Sequence, residues 1–247
     1  MRLDYRLSSS WMYNVSVTQG FQKKRDRAHL ERAAAAFGRT LSPSELDVLG
    51  GYLELVTTWN AKLDLTAARE TEALVEVMIC DAFVLAGPDV IAKDSRCVDV
   101  GSGAGAPAVP LALLRSDLKL TLVEPLRKRV AFLRTVLGAL GLVGRVNVLE
   151  RKLDPKAPAL PDAPYGQYHV ALSRATFAPE QWLTAGLSLA PRNLVLLAGQ
   201  QPPAAAGAQL ERVVEYALPI SSAQRKLAIF SSEDAAAGDP HGPAAPG

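Results

Sequence analysis

The stretch Asp99-Val100-Gly101-Ser102-Gly103-Ala104-Gly105 is the most informative part of this sequence. It closes a strand candidate at residues 96–100 and leads directly into a helical pattern at 107–114. In a doubly wound sheet the backbone must turn tightly at such a point and let a ligand come close, and glycine permits both. The stretch therefore predicts a nucleotide-binding loop at the carboxyl end of the first strand.

Strand and helix patterns alternate downstream of this loop. Further strand-like runs lie at 119–123, 146–150, 168–173 and 193–198. Helical patterns separate most of them, at 107–114, 126–140 and 179–189. Two final strand candidates, 213–218 and 226–230, are joined by a short Ser-rich turn, so the last strand should run antiparallel to its neighbour. The pattern predicts a Rossmann-like α/β fold with seven mostly parallel strands.

A helical segment is expected before the first strand. Ser42-Pro43-Ser44-Glu45 is a capping box with proline at the first helical position, and it begins a helix that should reach about residue 59. A second helical pattern covers 71–85. We predict one domain at 41–230, with a helical cover at 41–95 and the Rossmann-like core at 96–230.

Both ends of the chain are expected to lie outside that domain. Residues 1–40 lack sustained periodicity apart from a possible helix around 28–37, and we predict a poorly ordered extension. In residues 231–247, 11 of 17 positions are Ala, Gly or Pro, which predicts a disordered tail.

Composition narrows the class of protein. The chain has 247 residues, 49% of them hydrophobic, enough for one sizeable core, and it shows neither a membrane-span pattern nor a signal-peptide pattern. We therefore expect a cytoplasmic protein. Cys80 and Cys97 lack CxxC spacing, and the three histidines are widely scattered, so metal chemistry and disulfides are disfavoured.

Charge is distributed unevenly. Residues 1–40 carry a net charge of +5 and residues 231–247 a net charge of −3, so the part between them is neutral overall. Within it, residues 115–134 carry a local net charge of +4. This predicts contacts to RNA phosphates from Arg127, Lys128, Arg129 and Arg134, with Arg225 adding to the patch. A solvated helix face is the alternative explanation.

The residues around the loop favour one class of cofactor. Glu124 ends the next strand, where a carboxylate can accept hydrogen bonds from both ribose hydroxyls; the alternative is an acid at the start of a helix. The loop has GxGxG spacing instead of the dinucleotide GxGxxG, and the chain has no Walker lysine. We therefore predict S-adenosyl-L-methionine, bound by Asp99, Gly101, Gly103, Gly105 and Glu124.

Four blocks of sequence, in the same order, resemble one known family, the small-subunit ribosomal RNA guanine-N7 methyltransferases, also called glucose-inhibited division protein B. The resemblance spans about residues 41–230. Its blocks are Trp59-Asn60 with Leu65-Thr66, residues 98–105 with Pro107 and Pro110, Lys128-Arg129-Val130 with Phe132-Leu133-Arg134, and Ser173-Arg174-Ala175.

The resemblance implies a site and a reaction. It implies cofactor contacts at Gly101, Ala106, Lys152, Leu153 and Arg174, with Arg174 also catalytic. It further implies methyl transfer to N7 of a guanine in 16S ribosomal RNA, with ribosomal RNA or the small subunit as partner, and a monomeric protein.

This chain departs from the family pattern at several positions, which indicates a diverged member. Met78 stands where the family has histidine, and Asp64 where it has asparagine. Ala106 replaces a bulky apolar residue, and Ala198-Gly199 replaces Lys-Gly.

The implied chemistry tolerates these changes. Guanine N7 has a free lone pair, so attack on a sulfonium methyl group needs no proton abstraction, and positioning can supply most of the rate. The Asn/Asp-Pro-Pro-aromatic motif of amino-group methylases is absent, and neither cysteine follows a proline as in cytosine-C5 enzymes. A methyltransferase for another RNA or a small molecule, or a non-catalytic RNA-binding paralogue, remain as alternatives.

Overall fold

A seven-stranded sheet forms the centre of the computed structural model, which describes residues 19–160, 163–164 and 166–233. The strand order is β3-β2-β1-β4-β5-β7-β6. The strands are β1 Arg96–Val100, β2 Lys119–Glu124, β3 Val146–Glu150, β4 Val170–Arg174, β5 Arg192–Leu197, β6 Ala208–Ala217 and β7 Gln224–Ser232. The helices are α1 Gln19–Ala36, α2 Pro43–Leu63, α3 Thr71–Leu85, α4 Ala108–Leu114, α5 Arg127–Ala139 and α6 Pro179–Leu189.

Strand direction brings one end of every parallel strand to the same edge. Strands β1 to β5 pair in parallel, and β7 is antiparallel to both β5 and β6. The carboxyl ends of the parallel strands form one edge, which we call the carboxyl edge. Because Leu197 pairs with Lys226, β7 begins at that edge. The predicted seven-stranded Rossmann-like sheet with an antiparallel last strand is confirmed.

The two faces of the sheet are covered by separate apolar clusters. Alternate residues of β1 show the division, since Cys97 packs on the side of α1 to α5, whereas Val98 and Val100 pack with Trp182 of α6. Burial on both faces explains why the central strands have continuous apolar sequences. None of the described helices is both long enough and apolar enough to cross a bilayer.

The predicted capping box fixes the start of α2. The Glu45 N–H donates to Ser42 Oγ (3.2 Å), and the Ser42 N–H donates to the Glu45 carboxylate (2.8 Å). These reciprocal bonds satisfy backbone groups that have no partner within the helix. The helix ends at Leu63, where Asp64 adopts the left-handed conformation with φ +48°.

The expected boundary at residue 41 needs correction. Leu30, Ala33 and Ala34 of α1 are buried, and α1 packs on α2 and α3. The predicted poorly ordered extension is therefore wrong for its second half, while residues 1–18 lie outside the described residues. At the other end β7 continues to Ser232, two residues into the predicted tail, and residues 234–247 are outside the described part.

Candidate active site at the carboxyl edge

The three glycines of the loop after β1 differ in how much space a side chain would have. All three have positive φ: Gly101 +78°, Gly103 +55° and Gly105 +92°. A Cβ at Gly101 would overlap the Thr176 side chain, and one at Gly105 would lie 2.6 Å from Val109 Cγ2. A Cβ at Gly103 would have only the Gly101 carbonyl oxygen nearby, at 3.9 Å. Packing within the chain therefore requires glycine at 101 and 105, whereas Gly103 leaves space open for a ligand.

Glu124 connects this loop to the next helix. Its side chain is buried, with one carboxylate oxygen accepting from the Gly103 N–H (2.9 Å) and the other from the Leu126 N–H (2.9 Å). Leu126 is the N-cap residue of α5, so the helix-start explanation of this acid is also correct. Each oxygen keeps a second lone pair, so the same carboxylate can still accept a hydroxyl hydrogen bond.

Asp99 lies beneath the loop with an unsatisfied oxygen. Asp99 is 1% exposed, and Oδ2 of its carboxylate has no hydrogen-bond partner among the described residues. Burial, with a smaller contribution from the Glu124 charge, raises the pKa of Asp99 to about 7. A buried carboxylate oxygen without a donor is uncommon in folded proteins. This oxygen could therefore accept a hydrogen bond from a cationic or hydroxyl group of a ligand.

Tyr52 holds the loop from the other side, and sequence reasoning missed it. The buried Tyr52 hydroxyl donates to the Ala104 carbonyl oxygen (2.9 Å), which fastens the loop to α2. Burial raises the pKa of Tyr52 far above its usual value, so the hydroxyl remains a donor. A tyrosine within the apolar stripe of α2 was the available signal.

The segment after β3 reaches the same edge. The Arg151 N–H donates to the Glu124 carbonyl oxygen (3.2 Å), so the segment continues beside the end of β2. Leu153 is buried in the cluster that contains Val100 and Val123, whereas Lys152 is exposed. Ala106 is buried just before α4. The predicted cofactor residues therefore lie at the carboxyl ends of β1, β2 and β4 or in the loops that follow β1 and β3.

Arg174, the last residue of β4, is fixed by groups that the sequence did not reveal. Its Nη1 donates to the Val77 carbonyl oxygen (2.6 Å) and to Asp81 Oδ2 (2.9 Å). Asp81 also accepts from the Tyr216 hydroxyl (2.7 Å) and from Arg225 Nη1 (3.4 Å). A carboxylate in the middle of the apolar helix α3 was the signal that could have identified this cluster.

The basic residues divide into two groups. Arg127, Lys128 and Arg134 are exposed on α5, with Arg129 half-buried beside them. Arg225 lies apart from this group, because β7 is four positions from β2 in the sheet, roughly 19 Å away at the usual strand spacing. Arg225 instead shares Asp81 with Arg174.

A small cavity of about 120 Å³ opens at the carboxyl ends of β4 and β5. Arg174, Phe177, Ala198, Gln200 and Arg225 are among the residues that line it. His169 lies far from it, immediately before β4 at the opposite edge, where its Nδ1 accepts from the Arg96 N–H (3.3 Å). Burial, with the nearby Arg96 charge, lowers the pKa of His169. This histidine is therefore not part of the site.

Comparison with known proteins identifies the family. A family model described as rRNA small subunit methyltransferase G matches residues 45–214. The chain is 31% identical over 211 residues to Ribosomal RNA small subunit methyltransferase G of Anaeromyxobacter sp. (strain Fw109-5), covering 81% of this chain and 95% of that protein. The chain belongs to this family.

Two further similar proteins are a second relative of the same name and one solved structure. The protein of the same name from Myxococcus xanthus (strain DK1622) is 33% identical over 229 residues, which cover 84% of this chain and all of that protein. Among solved structures, a SAM dependent methyltransferase from Aquifex aeolicus is 19% identical with a TM-score of 0.45, covering 64% of this chain and 92% of that one.

One family block has a structural explanation. The Asn60 amide donates to the Thr66 carbonyl oxygen (3.0 Å), and its oxygen accepts from the Thr66 N–H (2.9 Å). This pair of bonds closes the loop between α2 and α3, beside a cavity of about 490 Å³ lined by Thr57, Asp64 and Arg69 among others. Asn60 and Thr66, one residue from each half of that block, therefore hold this loop closed.

Two departures from the family pattern have different surroundings. Met78, where the family has histidine, is buried in the core cluster beneath α3. Ala198, where the family has lysine, lines the cavity next to Arg174. Position 78 therefore bears on packing, whereas position 198 bears on the candidate site.

Proposed function

We propose that this protein transfers a methyl group from S-adenosyl-L-methionine to N7 of a guanine in small-subunit (16S) ribosomal RNA. We further infer a cytoplasmic monomer whose partner is ribosomal RNA or the small subunit. The observation that carries the proposal is the Glu124 carboxylate, hydrogen-bonded to the Gly103 N–H beside the unpaired Asp99 oxygen. Family membership supports the same reaction.

The residues present fit this cofactor. Glu124 suits a ribose, because its two oxygens can accept from two neighbouring hydroxyls. The unpaired Asp99 Oδ2 suits the ammonium of an amino acid, and the open space at Gly103 suits close approach to the backbone. S-adenosyl-L-methionine supplies an electrophilic methyl group when bound. The proposed cofactor site is completed by Gly101, Gly105, Ala106, Lys152, Leu153 and Arg174.

The chain then has to orient the acceptor, with no proton to remove. Guanine N7 carries its own lone pair, so no general base is required. Arg174 is held rigidly by Val77 and Asp81 at the end of β4, which suits a residue that orients substrate. Arg127, Lys128, Arg129 and Arg134 would bind RNA phosphates beside the cofactor edge.

One observation favours a second candidate, a methyltransferase for another RNA. Ala198 stands at a family lysine position and lines the cavity beside Arg174. Loss of a cation there changes what the cavity can bind without affecting Asp99, Gly103 or Glu124. The two candidates share the cofactor and differ in the RNA.

The test is a comparison of RNA from cells with and without this gene. We expect one N7-methylguanosine in 16S ribosomal RNA to disappear when the gene is deleted and to return when it is restored. A complementing gene with Gly103→Val should fail, because a branched side chain would fill the space left for the cofactor. An unchanged 16S RNA, with a methyl group missing from another RNA, would select the second candidate.

A further inference from the structure

Asp81 joins three parts of the molecule that are distant in sequence. Its side chain is 3% exposed on α3, and it accepts from Arg174 at the end of β4, Tyr216 of β6 and Arg225 of β7. Tyr216 and Arg225 are themselves paired across the β6–β7 ladder. Both guanidinium groups contact the same carboxylate oxygen, Oδ2, so they are held next to one another.

The cluster has unused positive charge and unused donors. Two guanidinium groups share a single carboxylate, and burial together with the Asp81 charge raises the pKa of Tyr216, so the phenol stays neutral. Each guanidinium has five N–H donors, and the contacts described use only Nη1 of each. The side chains are 19% and 21% exposed and line the 120 Å³ cavity. Paired planar donors with a surplus positive charge match a phosphate group.

We infer that Asp81 is a positioning residue, which holds Arg174 and Arg225 side by side so that the pair binds a phosphate group of the RNA. This rests on the proposed function for the identity of the substrate. RNA is favoured over the cofactor because Arg225 is on β7, three positions from β1 and roughly 14 Å from the strand that carries the glycine loop.

The direction in which Asp81→Asn changes RNA affinity distinguishes a positioning role of Asp81 from a purely electrostatic one. Asp81→Asn keeps the size of the side chain and removes a negative charge near the RNA. On charge alone it would strengthen RNA binding. If Asp81 positions the arginines, it should instead weaken binding to a labelled 16S RNA transcript about fivefold, measured by titration without cofactor. Arg225→Gln should weaken binding by a similar factor.

The double variant tests whether Asp81 acts through Arg225. If it does, the loss of RNA affinity in Asp81→Asn combined with Arg225→Gln should be smaller than the product of the two single losses, because part of the Asp81 effect is already absent without Arg225. Glu76→Gln is the matched control, because Glu76 is also buried on α3 and accepts from the Ile220 N–H (2.7 Å) and the Ser221 N–H (2.9 Å) of the β6–β7 turn. The Gln side chain keeps the Oε1 acceptor for both N–H groups, so this variant removes a nearby negative charge without detaching the hairpin and should leave RNA affinity within twofold.

Three results would overturn the inference: unchanged or stronger RNA binding by Asp81→Asn, multiplied effects in the double variant, or an equal loss in Glu76→Gln. Thermal unfolding identifies any variant that does not fold. If Asp81→Asn is one of these, unchanged RNA affinity in the partly exposed Arg225→Gln overturns the inference by itself. RNA affinity is measured without methyl transfer, so a parent protein that binds RNA but does not methylate it contradicts the proposed function alone.

Discussion

Asp99 is the residue whose ionisation should be visible in cofactor binding. Its pKa of about 7 reflects burial, so the free protein is largely protonated there at pH 6 and largely ionised at pH 8. An ammonium group prefers the ionised carboxylate, but the α-amino group of the ligand itself loses its proton with a pKa of about 7.7–8.0, so S-adenosyl-L-methionine should bind roughly fourfold more tightly at pH 8 than at pH 6. Calorimetry at both pH values measures this difference.

Asp99→Asn is the control for that prediction, because the amide keeps the shape and cannot ionise. Its cofactor affinity should be weaker than that of the parent at pH 8 and should not increase between pH 6 and pH 8. An increase of affinity with pH that persists in the variant would assign the titration to another group. Absence of any binding heat from the folded parent protein would contradict the cofactor assignment.

Some site residues could be predicted from the sequence and others could not. Asp99, Gly103 and Glu124 could be predicted as a site because strand ends and glycine spacing are local properties of the sequence. The contacts of Asp81 could not, because Arg174 and Arg225 reach it only through the tertiary fold. Likewise, the clash that requires glycine at position 101 comes from Thr176, 75 positions later in the chain.

Helix α5 begins with three basic residues, and Glu124 is the acid bonded to its N-cap residue at the amino end. Arg127, Lys128 and Arg129 occupy its first turn, which contains no acid, although the amino end of a helix repels cations. Burial of Val130 and Leu133 holds the helix in place. A nearby phosphate would remove this unfavourable interaction, which favours the RNA-contact explanation over a solvated face.

Salt dependence tests the role of α5. Arg127→Ala combined with Lys128→Ala should weaken RNA binding and reduce the slope of log affinity against log salt by about 0.7–0.9 for each phosphate that the variant no longer neutralises. Lys93→Ala with Lys119→Ala removes the same charge from the opposite edge of the sheet and should leave the slope unchanged. Equal slopes for the parent and both double variants would mean that the basic residues of α5 form a solvated helix face and do not contact RNA.

Elements were predicted well where burial creates a clear pattern. The bounds of α3, β1, β3 and α6 agree with the sequence patterns to the residue. Edge strand β6 begins at Ala208, five residues earlier than predicted, because its first residues are mostly exposed and a register shift between Leu210 and Arg212 interrupts the alternation. The packing of α1 was missed because its buried face is small, made by Leu30 and two alanines.

On the scale of the whole molecule, the proposed cofactor site and the arginine-lined cavity occupy different parts of the carboxyl edge of the sheet. The loops after β1, β2 and β3 form the proposed cofactor site, and β4, β5 and β7 form the arginine-lined cavity. Helix α3 connects the second group through Asp81. The described histidines are outside this edge, His29 on α1 beside Glu72 and His169 at the amino edge. The arrangement suits a reaction that needs orientation and no general base.

The most direct test is methyl transfer by the purified protein from labelled S-adenosyl-L-methionine to 16S ribosomal RNA, or to the small subunit, followed by identification of the methylated nucleoside. We expect N7-methylguanosine, formed at saturating cofactor with a rate that stays constant between about pH 6.5 and about pH 8.5, because no base has to be deprotonated. Arg174→Ala should reduce this rate roughly tenfold, equivalent to about 1.4 kcal/mol, while His169→Asn should not. A methyl group on another atom, or a rate that rises with a pKa near 7 and is lost in His169→Asn, would contradict the account.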